Sequence, residues 1–508
     1  MLRIAFALLT LFTTFPVLAN EAGAAAIPAR PNVLFIAVDD LRPELGCYGV
    51  DVVKSPNIDR LAASGMRFDR HYVQFAVCIP SRVSLLTSLR PERTHQVYGP
   101  IVWTRVKGAR PLGETFGSAG YRTVSLGKIW HVENSPFCDK FDVRWTPKGG
   151  KYASSQAEQS ADEYRKAKQA VQKQGKANAE PNVPLPPITE CADVPDGTYA
   201  DGMIADEAIK ELRAASKAGK PLMLAVGFIK PHLPFCAPKK YWDLYDEAAM
   251  QLAPNPDFPR DMPPIAFNNH PNFFSYSYGS YAPLEKGKAM PEATARHLIR
   301  GYRAATSYVD AQIGRVLDEL ERLGMAEDTI VMLWGDHGWH LGDSGMWSKH
   351  SNFECAARSP LIVRAPGVTK AGAATDALVE TVDIFPSLLE LCGLPRLEVY
   401  DGRSFAPLLK NPETDGKDAV FHVFNRGGEV GGKRQSIIGH AVRTPTHRLV
   451  SWRVGWGMDN AEYAAELYDY VRDPYETQNL ADKPEYAQLR ADLEQKLRNG
   501  PAGTLPPK

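Results

Sequence analysis

A cysteine, a proline and an arginine in close order are the first residues in this chain whose types and spacing suggest chemistry. In Cys78-Ile79-Pro80-Ser81-Arg82, Pro80 suits the first turn of a helix. Cys78 then sits at or just before a helix N-terminus, where free N–H groups and the helix dipole favour negative charge. Asp39-Asp40 and Asp336-His337 stand elsewhere, each pair just after an apolar run. Lys128, Lys230 and Lys349 could receive an anion, and His131 and His232 could carry protons near neutral pH. Singly, each has an ordinary reading: a buried cysteine is a small hydrophobe, an Asp pair a turn or cap, a lysine a solvated charge.

The elements needed to bring them together are legible. Asn32 to Val38 is a continuous apolar run ending in the two acids, the pattern of a strand buried on both faces. Similar runs cover Met66 to Val73, Thr123 to Leu126, Leu222 to Ile229, Thr329 to Trp334 and Pro360 to Val363. Helical patterns at Asn57 to Ala63, Asp201 to Ser216, Ala293 to Leu323 and Leu378 to Cys392 separate them. This alternation predicts an α/β fold, a large mixed, mostly parallel sheet flanked by helices, with ligands beyond the carboxyl ends of its strands. Lys148 to Pro187, rich in Lys, Gln, Ala and Pro, reads as a surface insertion without chemistry, and Ala253 to Pro291 as long loops. Beyond about residue 410, alternating runs at Val420 to Phe424, Ser436 to Val442, His447 to Trp452 and Glu466 to Tyr470 predict a small α+β subdomain (411–508) with an antiparallel sheet, closed by a helix near Tyr486 to Arg498.

The chain has 508 residues, 44% hydrophobic, 23% charged and 10% aromatic, a balance that excludes a disordered polymer, a coiled coil and a polytopic membrane protein. With 59 basic and 59 acidic residues it has no global basic field to gather nucleic acid. Residues 1–19 place one Arg before an apolar run and end in Val17-Leu18-Ala19, the pattern of a cleaved secretory signal; no later run is long enough to span a membrane. Seven cysteines (Cys47, Cys78, Cys138, Cys191, Cys236, Cys355, Cys392) are too few for a disulfide scaffold, and their odd number leaves at least one unpaired. Signal and composition predict a secreted chain, in a bacterial periplasm or outside the cell.

The motif C-x-P-S-R resembles the signature of type I sulfatases, in which a maturation enzyme oxidises the cysteine to formylglycine. The likeness is greatest to the iduronate-2-sulfatase group, carried by PNVLFIAVDDLRPELGCYG, SPNIDRLA, CIPSRVSLLTSLRP, GKIWH, AVGFIKPHLPF and DHGWHLGDSGMWSKHSNF, and near the end by ELYDYVRDPYETQNLA. It runs from about residue 31 to 366 and then resumes. Thr87-Ser88 stands where the family's longer signature ends in Thr-Gly, and Cys191 has no evident partner for a loop disulfide.

The resemblance implies an alkaline-phosphatase-like catalytic domain over 30–410 that hydrolyses sulfate monoesters of a saccharide, iduronate 2-O-sulfate or a related uronate first. It implies Ca²⁺, with Mg²⁺ second, on Asp39, Asp40, Asp336, His337 and the oxidised Cys78. Lys128, Lys349 and His232 would bind sulfate, and Arg82 would hold the formylglycine hydrate. Asp336 would activate the nucleophile, His131 would take the proton that lets sulfate leave, and His232 would protonate the sugar. Besides substrate, the implied partner is a formylglycine-generating or anaerobic sulfatase-maturing enzyme. Other readings remain: a fucose or hexosamine sulfatase, a phosphodiester or phosphonate hydrolase on the same scaffold, or an inactive carbohydrate-binding homologue.

Overall fold

A computed structural model describes residues 30–97, 106–131, 140–147, 155–174, 180–268, 273–285 and 288–501. The leader at 1–19 and Cys138 lie outside the described residues. Eight strands form the main sheet: β1 (Asn32–Val38), β2 (Met66–Phe68), β3 (Arg122–Gly127), β4 (Val143–Trp145), β5 (Leu222–Phe228), β6 (Thr329–Gly335), β7 (Leu361–Arg364) and β8 (Ala373–Thr375). Their spatial order is β8-β2-β7-β6-β1-β5-β3-β4. All neighbours run parallel except β7, which is antiparallel to both β6 and β2. The α/β architecture read from the sequence is therefore the one observed.

The central strands are buried on both faces because their residues alternate between two cores. Val33, Phe35 and Ala37 of β1 join Met332 and Trp334 of β6 on one face. Leu34, Ile36 and Val38 join Leu224, Val226 and Leu333 on the other. The first face is covered by α2 (Cys78–Thr87) and α6 (Thr381–Leu391). The second is covered by α1 (Pro56–Ser64), α4 (Ala200–Ala215) and α5 (Glu292–Arg322), whose Val309, Ile313, Val316 and Leu320 recur at helical spacing.

The run expected as one strand from Met66 to Val73 is interrupted. Only Met66–Phe68 joins the main sheet, while His71–Tyr72 pairs with Val379–Glu380 just before α6. The segment at 148–187, read from the sequence as a surface insertion helical in part, carries the helix α3 (Gln156–Lys173), whose Ala157, Glu158, Ala161 and Tyr164 are buried.

Four antiparallel strands follow in the order β9 (Val420–Val430), β10 (Lys433–Arg443), β11 (His447–Val454) and β12 (Glu462–Asp469), closed by α7 (Ala487–Asn499). Leu493 and Leu497 of α7 pack on Val442, Leu449 and Leu467 of this sheet. Among the described residues no helix is long and apolar enough to cross a membrane, and the six described cysteines are free thiols.

Candidate active site

The chain leaves β1, β3, β5 and β6 at the same edge of the sheet, and each exit delivers charged side chains to one space. Asp39 and Asp40 follow β1, Lys128 follows β3, Lys230 and His232 follow β5, and Asp336 and His337 follow β6. Consecutive residues of a strand point to opposite faces, so two adjacent ligands need a break in the strand. Asp40 supplies it with a left-handed backbone, φ 59°. The turn is held by Asp40 N–H donating to Asp336 Oδ1 (2.9 Å) and by Asp336 N–H donating to the Val38 carbonyl (3.1 Å). A glycine brings Lys128 in: a Cβ on Gly227 would stand 2.2 Å from the Lys128 carbonyl carbon, so only the bare backbone lets the two chains pass.

Cys78 is the first residue of α2, with Val77 as N-cap, and its side chain is 2% exposed. Its Sγ lies 3.0 Å from Lys349 Nζ, 3.3 Å from His337 Nε2, 3.8 Å from Lys128 Nζ and 3.9 Å from Asp40 Oδ1. Lys349 also pairs with Asp40, and Lys128 with Asp39. Burial and Asp39 push the thiol up; Lys128, Lys349 and His337 more than offset them and bring it down to about 7. The sulfur therefore occupies a pocket that stabilises negative charge.

The other end of α2 departs from the family pattern at Ser88, which closes the helix in the left-handed region (φ 52°), the conformation glycine adopts without strain. Its hydroxyl offsets that strain by donating to the Val382 carbonyl (2.7 Å) and accepting from Gly402 N–H (3.1 Å).

Arg82 lies one turn along α2, but its guanidinium is committed to the carboxylates rather than to the sulfur. Nε donates to Asp336 Oδ2 (3.0 Å), Nη2 meets Asp39 Oδ1 (3.1 Å), and Nη1 meets the carbonyls of Lys128 and Ile129. Charge explains this: a buried planar fork is best satisfied by two carboxylates it can bridge. Arg82 thus orients the acidic cluster. His131, three residues past Lys128, is half-buried in the same loop.

Ligand atoms of Asp39, Asp40, Cys78 and His337 all lie within 4.8 Å of one another, and each residue is buried. Asp336 Oδ1 is 3.5 Å from His337 Nε2. Three features suit this group to a hard cation. Asp40 Oδ2 is buried and accepts no hydrogen bond among the described residues. His337 Nδ1 faces the Gly338 carbonyl (3.0 Å), so Nδ1 carries the proton and the Nε2 lone pair points at the Asp40 and Asp336 carboxylates. Finally, the carboxylates crowd each other: burial and then Asp39 push Asp336 up to about 7, and burial raises Asp40 as well. A cation among them relieves all three.

Lys349 sits between two left-handed residues, Ser348 (φ 80°) and His350 (φ 66°), on a loop held by the C-terminal sheet. His422 Nε2 of β9 lies 3.1 Å from the Asn352 carbonyl, Asn352 Nδ2 donates to the Gly439 carbonyl of β10 (3.2 Å), and Arg426 meets the His350 carbonyl. His232 Nδ1 faces the Leu233 carbonyl at 2.6 Å, which leaves Nε2 as the nitrogen that exchanges protons; it stands 4.0 Å from Asp40 Oδ2. Burial, and after it Lys128, holds this imidazole well below its usual value, neutral in the substrate-free site. The sequence reading missed Glu158, buried on α3 and ion-paired to Lys230 (2.8 Å). The only signal for it was Ser155-x-x-Glu158, a capping-box spacing.

Comparison with known proteins agrees with this geometry. The family model described as Sulfatase matches residues 31–394, and that of the N-sulphoglucosamine sulphohydrolase C-terminal region matches 342–501. The chain is 32% identical to iduronate 2-sulfatase of Mus musculus over 91% of its own length and 93% of that protein, and 31% identical to the Homo sapiens enzyme over the same shares. A solved structure in complex with its substrate D-glucosamine-2-N,6-O-disulfate superposes with a TM-score of 0.69 at 22% identity, covering 93% of this chain and 99% of that one. A cysteine at a helix start between two lysines and an acidic cluster, on a sheet of this order, is thus accounted for: the chain belongs to the sulfatase family and is a sulfuric ester hydrolase.

Proposed function

We propose that this protein removes the sulfate monoester of a sulfated saccharide, with the 2-O-sulfate of iduronate or a related uronate as its substrate. The observation that carries the reading is the convergence of Lys128 and Lys349 on Cys78 Sγ beside the carboxylate cluster. The likeness to the two iduronate 2-sulfatases over nine-tenths of the chain supports the choice of sugar. Residues 30–410 form the catalytic unit and 411–508 the C-terminal subdomain; the leader at 1–19 is removed, and the enzyme acts in a periplasm or outside the cell.

Cys78 is the residue converted to formylglycine by a maturation enzyme, and the hydrate supplies one hydroxyl to take the sulfuryl group and a second through which sulfate is released. Asp39, Asp40, Asp336 and His337 would hold a divalent cation, Ca²⁺ in preference to Mg²⁺, which would supply positive charge for the sulfate and favour ionisation of the nucleophile.

This chain's own side chains do the rest. Lys128 and Lys349 neutralise the sulfate, whose negative charge repels any nucleophile approaching without them. Asp336 accepts the nucleophile's proton. Arg82 keeps Asp39 and Asp336 in place. His131, in the Lys128 loop, takes the second proton. The sugar alkoxide is a poor leaving group, and His232 protonates it through Nε2. Burial, and after it Lys128, keeps this imidazole neutral beforehand; the negative charge of the arriving sulfate favours its protonation.

Sulfate release from a panel of defined oligosaccharides, each bearing one sulfate, tests the reading. Release from 2-O-sulfated uronates is expected. Release confined to N-sulfated or 6-O-sulfated glucosamine, or turnover only of phosphate diesters, would overturn it.

A further inference from the structure

Glu158 occupies the third helical position of α3, where a capping box turns the side chain back to the N-cap amide. Half of that box is present, since Ser155 Oγ accepts Glu158 N–H at 2.9 Å. The carboxylate, however, is 1% exposed and lies 2.8 Å from Lys230 Nζ. At the start of α6, by contrast, Glu380 and Asp383 complete the reciprocal pair. A glutamate that gives up its capping partner for a buried lysine is spent on that lysine.

Lys230 in turn grips the loop that carries His232. Its Nζ donates to the carbonyls of His232 (2.9 Å) and Pro234 (2.8 Å), one on each side of Leu233. The Leu233 carbonyl is the group that fixes His232 Nδ1. From below, the amides of Ile229 and Lys230 donate to the buried Asp201 carboxylate (2.8 and 2.9 Å). Burial works against the Lys230 ammonium; Glu158 first, with Cys236 and Asp201 after it, more than offsets it. The first turn of α3 is itself anchored here. Ala157 N–H donates to Glu190 Oε2 (2.7 Å), and Glu190 pairs with Cys236, two residues past Pro234.

We propose that Glu158 is a positioning residue for His232: its carboxylate keeps Lys230 locked on the 232 and 234 carbonyls, which aims the imidazole at the leaving group. The proposal rests on the reading of His232 as the acid. Without the carboxylate, the buried ammonium loses its ion-pair partner and withdraws toward water, and the loop loses its clamp. Substrate binding by Lys128 and Lys349 does not depend on this contact, so the loss falls on the step that needs a proton.

The experiment compares Glu158→Gln with the parent, both converted at Cys78 and metal-loaded, on a 2-O-sulfated uronate saccharide and on 4-nitrophenyl sulfate, whose leaving group needs no acid. The expected result is a fall in kcat of about 10- to 100-fold on the saccharide, less than about threefold on the aryl ester, with KM within about twofold. Equal losses on both substrates, or none on the saccharide, would overturn the proposal. Glu158→Asp, which keeps the charge, should recover most of the saccharide rate, and its failure to do so has the same meaning; it also serves if the Gln variant does not fold. His232→Ala run alongside separates the two claims. A leaving-group-dependent loss there with none in Glu158→Gln removes only the positioning role, whereas equal losses in His232→Ala remove the acid and the proposal together.

Discussion

Lys349 Nζ stands 3.0 Å from Cys78 Sγ and is paired at the same time with Asp40, so one ammonium ties the nucleophile's position to the acidic cluster. In protein made without conversion and stripped of metal, Lys349→Met should raise the Cys78 thiol above about 7, seen as slower alkylation at pH 7. In converted enzyme the same change should lower kcat/KM by about 10²- to 10³-fold, the scale of losing one charged contact to the transferring group. Unchanged alkylation would show that the ammonium does not act on this site.

Conversion of Cys78 should be visible by mass. The peptide spanning residue 78, from protein made with a maturation enzyme, should be lighter than the thiol form by roughly 18 Da. Cys78→Ala should abolish turnover and leave the circular dichroism unchanged. An active preparation with a fully reduced Cys78 would contradict the proposed chemistry.

Removal of metal should destabilise the protein in a pH-dependent way. Asp336 is raised from an ordinary 3.8 to about 7 by burial and by Asp39. The folded, metal-free state therefore holds a proton that the unfolded chain releases. Its contribution to stability is present below pH 4 and is lost as the pH climbs through 7. A bound cation takes the proton's place, so the difference in Tm between Ca²⁺-loaded and chelated protein should widen from pH 5 to pH 8. A gap that stays constant would argue against these carboxylates sharing a cation.

Glu380 ties the start of α6 to the C-terminal sheet. Its carboxylate receives Arg90 and Lys417, and also Phe421 N–H of β9 (2.9 Å). Burial works against this carboxylate, and Arg90 and Lys417 more than offset it, holding it down at about 2. This stability is present above the ordinary carboxylate range and disappears as pH falls toward 2. Glu380→Ala leaves the buried Arg90 without its ion-pair partner, while Lys417 keeps Asp383, and should cost about 3–5 kcal/mol, measured as a lower urea midpoint at pH 7. An unchanged midpoint would show that the junction is held elsewhere.

The parts of the fold that the sequence revealed were those with one dominant pattern. β1 and β6 announce themselves as apolar runs ending in acids, and the C-terminal strands by alternation. Patterns that depend on long-range contacts were silent. The left-handed turn at Asp40, which lets neighbouring carboxylates share a space, follows from Asp336 nearly three hundred residues away. Arg82 could be placed on α2 from the sequence, but its bridge to Asp39 and Asp336 could not, because those carboxylates come from distant parts of the chain. Glu158 looked like any polar residue in a Lys- and Gln-rich stretch; its value comes from Lys230, which no local signal connects to it.

The clasp of β9 and β10 on the 350–352 loop bears on how such enzymes can be recombined. A chimera that takes its last hundred residues from a relative imports someone else's grip on the segment carrying Lys349. Splicing at that seam would disturb catalysis even where every charged group of the first four hundred residues is left intact, and repair would have to begin at His422 and Arg426 rather than in the centre itself.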